Sequence, residues 1–110
     1  MHAHRGWGTA LAWTIELDKH KDDPDRVIRR FGHWQRGLHA ASPPRSDADI
    51  RHELEKIPLA HENGAPPAKA TQIDDGSSGK PETYGVRVFG TNFVYYIRPP
   101  DTIIITNIDV

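Results

Sequence analysis

In YGVRVFGTNFVYYIRPPDTIIITNIDV, residues 84–110, three runs of strand-forming residues are separated by two turn signals. Tyr84, Val86 and Val88 alternate with Gly85, Arg87 and Phe89, the period of two expected of a strand with one buried face. Residues 90–92 supply a turn, and the Pro-Pro-Asp of residues 99–101 supplies another. The spacing therefore predicts a three-stranded meander. The continuous apolar runs VYYI and IIIT predict burial on both faces for part of that sheet, as in a central strand.

Working outward, Leu11, Trp13, Ile15 and Leu17 alternate with Ala12, Thr14 and Glu16 and predict a first strand that completes a four-stranded sheet. The charged run that follows contains Asp23 before Pro24, an N-cap with proline at the first helical position. Val27, Ile28, Phe31, Trp34 and Leu38 then recur on one side of a 3.6-residue repeat and predict a helix. A second helix should begin at Ser46, whose partner Asp49 three positions on makes an acidic variant of the capping box. It carries Ile50, Leu54 and Ile57 as a narrow apolar stripe, and Pro58 marks its end. Residues 59–83, rich in glycine, proline and serine, read as a long loop, and residues 1–10 as a loose arm. The order β-α-α-β-β-β predicts an α+β fold: a helical hairpin on one face of a small, mainly antiparallel four-stranded sheet.

A chain of 110 residues forms one domain with room for a single core. Its net charge of -1 excludes a generally basic nucleic-acid coat, and the absence of cysteine excludes disulfides and thiolate zinc sites. No apolar run approaches the ~20 residues that span a bilayer, and the N-terminus lacks a signal-peptide apolar region. The expectation is a cytoplasmic protein without membrane contact. Gly76 and Gly79 are too close for a P-loop, and neither HExxH nor GxSxG occurs, so no metal and no cofactor are expected.

LAWTIELDK, the helical hairpin, LEKIP before a glycine-proline loop, and above all YGVRVFGTNFVYYI followed by TIIITNI resemble the RelE/ParE superfamily of bacterial toxins. The resemblance follows residues 11–110 in element order and the last quarter of the chain in motif. It implies a toxin component of a toxin-antitoxin pair: a RelE-like endoribonuclease acting on mRNA or the ribosome, or a ParE-like inhibitor of DNA gyrase, held in either case by an antitoxin protein. Metal-free RNA cleavage needs a proton taken from the 2′-hydroxyl, one given to the 5′-oxygen, and cations around the phosphorane. Arg87 falls where RelE-like proteins carry a basic residue on the second strand, which implies phosphate stabilisation; an ordinary surface arginine is the alternative. Two departures weigh against cleavage. The family's third-strand arginine would fall near the apolar Phe93, and the basic or histidine-tyrosine segment that follows the last strand in many RNA-cleaving members has no counterpart after Ile108. A non-catalytic binding protein on the same scaffold is therefore the second reading.

Tyr95 and Tyr96 point to opposite faces of one strand, so only one can meet a given ligand. Tyr96 is the catalytic candidate beside Arg87. Lys80 and Arg98 are candidate RNA phosphate contacts, and Arg29 and Arg30 are further RNA-binding candidates if their helix face turns toward RNA; a solvated face is the alternative. His20, His33, His52 and His61 read as solvated surface histidines, and Trp13 and Trp34 as core.

Overall fold

The computed structural model describes residues 9, 10 and 12–110. Leu11 and the expected arm as far as residue 8 lie outside the described residues. Strand β1 (Thr9–Ala10) pairs antiparallel with β2 (Trp13–Leu17), so residues 9 and 10 belong to the sheet and not to an arm. Then come α1 (Arg26–His39), α2 (Asp47–Glu62), β3 (Thr71–Asp74), β4 (Thr83–Val88), β5 (Thr91–Arg98) and β6 (Thr102–Ile108).

The fold is α+β, and its sheet departs from the expected one in strand number and in sense. The strands lie in the order β1-β2-β6-β5-β4-β3, five of them at least four residues long, with the two-residue β1 at one edge. Within the segment expected to be a loop, residues 59–62 continue α2 and residues 71–74 form β3 on β4. The pair β2/β6 is parallel, with Thr14 opposite Thr102 and Leu17 opposite Ile105, so the sheet is mixed. The two corrections are linked. A strand between α2 and β4 adds one reversal of direction, which gives β6 the opposite sense to the one it would have had if α2 led directly into β4. Parallel neighbours need a crossover connection, and the helical layer provides it.

Both helices start and stop at positions with a local cause. Ser46 Oγ accepts from the Asp49 N–H, and Asp49 Oδ2 accepts from the Ser46 N–H, each at 3.1 Å, closing the capping box at the start of α2. α1 begins later than Asp23 predicts: Asp25 is its N-cap, without a side-chain cap, and Asp23 instead pairs with Arg29. Pro58 does not end α2. It lies within the helix, its ring fully buried, and the helix continues for four residues to Glu62.

One apolar layer joins helices and sheet. Val27, Phe31 and Trp34 of α1 and Ile50, Leu54 and Ile57 of α2, each set at offsets of zero, four and seven, are buried against Ile15, Phe93, Tyr95, Ile103 and Ile105. Trp34 meets Phe31 at 5.4 Å and the edge of Phe93 at 4.8 Å between ring centroids. Ile28, expected among the apolar residues of α1, is 45% exposed, because the residue after Val27 is turned about 100° round the helix axis. The β4–β5 hairpin turns one residue earlier than expected. Phe89 and Gly90, with φ of 48° and 78°, form the two-residue connection, and the Arg45 guanidinium lies 4.6 Å from the centre of the Phe89 ring.

Candidate functional site

Among the described residues both helices pack on one side of the sheet. Strand alternation then fixes what the other side carries, because residues in register across neighbouring strands share a face. Glu16 of β2, Ile104 of β6 and Tyr96 of β5 lie in one row, and Thr14, Thr102 and Arg98 in the next. Thr83 continues the Tyr96 row onto β4. Gly85 and then Arg87 follow along β4, opposite Val94 and Asn92 of β5. Tyr95 points the other way, into the core.

This face holds three of the sequence-derived candidates, and their geometry separates them. Arg98 Nη2 lies 3.4 Å from both Glu16 carboxylate oxygens, so its charge is already met. The Tyr96 phenol is half-buried, and burial, with help from the Asp18 carboxylate, raises its pKa against the opposing effect of Arg98. It stays protonated at neutral pH and is a poor general base. Arg87 is exposed and forms no side-chain hydrogen bond or ion pair among the described residues. It lies four positions along β4 from Thr83, the register partner of Tyr96, a distance of about 13 Å along the strand. Lys80 is exposed in the segment leading into β4, at the Thr83 end and away from Arg87.

Arg29 and Arg30 lie on the helical side. Arg29 donates to both oxygens of Asp23, at 3.0 and 2.6 Å, and Arg30 donates to Asn107 Oδ1 at 2.6 Å. The six candidates thus do not converge on one surface. Residues four or more apart on a strand, and residues on helix and sheet, look interchangeable in a list of cations; the pleat and the helical layer keep them apart.

A cluster that the sequence reading overlooked sits where α2 ends over β4 and β5. His61, expected at the surface, is half-buried, with Nε2 2.7 Å from the Tyr95 hydroxyl. The Tyr95 ring stacks on Tyr84 at 5.5 Å, and the Tyr84 hydroxyl donates to Glu82 at 2.9 Å and accepts from Gln72 at 3.2 Å. Trp13 Nε1 donates to Glu62 beside it at 2.5 Å. Burial pushes the His61 pKa down, opposed by the Glu82 carboxylate, and burial pushes Tyr95 and Tyr84 up. A protonated phenol therefore donates to a neutral imidazole. The signal was present in the spacing: His61 stands eleven residues after Ile50, on the stripe of Leu54 and Ile57, and reading Pro58 as a helix end hid it.

Among the described residues no three histidine, aspartate or glutamate side chains gather to hold a metal ion, and no helix is long and apolar enough to cross a membrane. No family model, no curated protein and no solved structure matches this chain.

Proposed function

We propose that this protein is a RelE/ParE-like toxin-class domain that acts by binding a macromolecular partner, an antitoxin and a target such as gyrase, and not by cutting RNA. The observation that carries the reading is the backbone spacing of about 13 Å along the strand direction between Arg87 and Thr83, the register partner of Tyr96. Metal-free cleavage requires the proton acceptor, the proton donor and the cation at one phosphate, within hydrogen-bond reach of it. Here the phenol keeps its proton, the neighbouring Arg98 is paired with Glu16, and the unpaired cation stands two strand pleats away. A broad sheet face without helical cover among the described residues, carrying Tyr96 and Val94 half-buried, suits partner docking better than proton transfer.

A second reading, a RelE-like endoribonuclease acting on mRNA, is favoured by one observation: Arg87 is exposed with its charge unmatched among the described residues. One experiment separates the two. Purified protein is incubated with translating ribosomes and a reporter mRNA, and in parallel with gyrase in a supercoiling assay. Binding without cleavage predicts intact mRNA, no change with Arg87→Ala, and inhibited supercoiling. Cleavage that falls about 100-fold or more with Arg87→Ala would overturn the binding reading in favour of the ribonuclease.

A further inference from the structure

A groove of about 590 Å³ opens on the sheet face at its β3–β4 end, within the range of small-molecule sites. Gly85 lines it, with the Ile73 and Asn92 side chains nearest the space a Cβ at Gly85 would fill, and Lys69 and Arg87 belong to the same lining. Two of these residues contradict their own local preferences. Gly85 lies in mid-strand, where glycine weakens a sheet by up to about 1 kcal/mol. Nothing internal requires it: its φ is not positive, and an added Cβ would meet Ile73 Cδ1 at 3.6 Å and Asn92 Oδ1 at 3.8 Å, ordinary contacts. Lys69 shows the reverse conflict. The Ala70 N–H donates to the Pro67 carbonyl at 3.1 Å, closing a turn whose third residue is Lys69 with φ of 65°. Glycine is the residue suited to that position, and another side chain there costs on the order of 1–2 kcal/mol.

A glycine where a side chain would fit, and a lysine where glycine would fit, face the same groove. Positions that violate local rules without an internal gain mark functional sites. The register of β3 on β4 sets Thr71 opposite Gly85, and Lys69, in the turn that leads into β3, lines the same groove as Arg87. Neither cation has a side-chain partner among the described residues, so the groove lining presents two unmatched positive charges. From Arg87 to Gly85 is about 7 Å along the strand, comparable to the separation of phosphate and base in a mononucleotide.

From this arrangement we infer that the groove binds a free mononucleotide. The phosphate lies between Lys69 and Arg87, the flat base rests on the bare Gly85 backbone against Ile73, and the Asn92 amide, both donor and acceptor, meets the base edge. This site is independent of the partner-docking reading and survives its failure.

The test uses the full chain, with AMP, GMP and inorganic phosphate as probes, by NMR titration and by calorimetry. Saturable shifts at Gly85, Arg87 and Asn92 are expected with a nucleotide. Gly85→Val should weaken nucleotide binding about tenfold or more without lowering Tm, and Lys69→Gly should weaken it similarly while raising Tm. Phosphate alone should bind more weakly, lose its shifts in Arg87→Gln, and be indifferent to Gly85→Val. If the valine variant fails to fold, Gly85→Ala carries the same test, since its single methyl makes only ordinary contacts. Absence of saturable shifts at millimolar AMP or GMP overturns the inference, as does nucleotide binding unaffected by filling the space at Gly85. A glutamate-rich peptide, or a single-stranded RNA, that binds the same residues more than about tenfold tighter than AMP would also overturn it, by identifying a different occupant.

Discussion

Trp13 and Trp34 are 7% and 4% exposed, yet only one has a partner for its indole N–H. Trp13 donates to Glu62, whereas Trp34 Nε1 is buried without a hydrogen-bond partner among the described residues. An unsatisfied buried donor costs about 1–3 kcal/mol, and replacing the group by an apolar one of similar shape recovers that cost. Trp34→Phe exchanges lost packing for a relieved N–H and should change stability by about 1 kcal/mol or less. Trp13→Phe loses packing and a charge-assisted bond together, and should be the more destabilising by about 1–2 kcal/mol. Urea denaturation of the two variants checks this, and the reverse order would show that the Trp34 donor is satisfied in solution. Both tryptophans were readable as core from periodicity. Which of them carries a polar bond was not, because Glu62 is forty-nine residues from Trp13 and meets it only when α2 runs past Pro58.

The elements were legible in proportion to how local their causes are. The Ser46 and Asp49 box needs only its own four residues, and both of its bonds form. Ser46→Ala removes the acceptor for the Asp49 N–H and should cost about 1 kcal/mol of stability, read as a shift in the urea midpoint at unchanged slope. Asp49→Ala, added to it, should cost little more, since the two bonds act as one cap. Full additivity would mean that the residues act separately. β3 is the opposite case. Thr71–Asp74 is an exposed edge strand whose neighbour among the described residues is β4 alone, with a register irregularity between Gln72 and Asp74. Short, irregular, polar edges resist pairing with other chains, and those same properties make the segment look like loop in the sequence. The hairpin at Phe89 was misplaced for a related reason: an aromatic residue at positive φ carries no turn signal, and here its ring is held by Arg45 and the core.

At the scale of the molecule, the apolar layer was legible and the use of its polar fringe was not. Three strands of the meander and two helices follow from periodicity, whereas the parallel pairing of β2 with β6 depends on a reversal contributed by β3. The candidate cations on strands and helix fell on separate surfaces for the same reason, since periodicity assigns faces within an element and not between elements. The His61 cluster, which ties α2 to β4 and β5, gives the whole fold a pH dependence whose sign can be worked out. Burial lowers the His61 pKa from its ordinary 6.5, with Glu82 opposing and the protonated Tyr95 hydroxyl facing Nε2. A histidine kept neutral in the fold binds its proton first in the unfolded chain, so the unfolded state gains as pH falls through 6.5. Stability should therefore be full above that value, decline as pH drops below it, and level off once the folded-state histidine is also protonated. The aspartates held below their ordinary 3.8, Asp23, Asp47, Asp49 and Asp75, lose their contributions only at much lower pH. Tm followed from neutral to mildly acidic pH should fall more steeply in the native chain than in His61→Gln. An NMR titration of the His61 ring should give a midpoint below the ordinary value, a readout that stands even if the variant is unstable. Equal slopes together with an ordinary midpoint would mean that the imidazole is solvated and that α2 does not close over Tyr95.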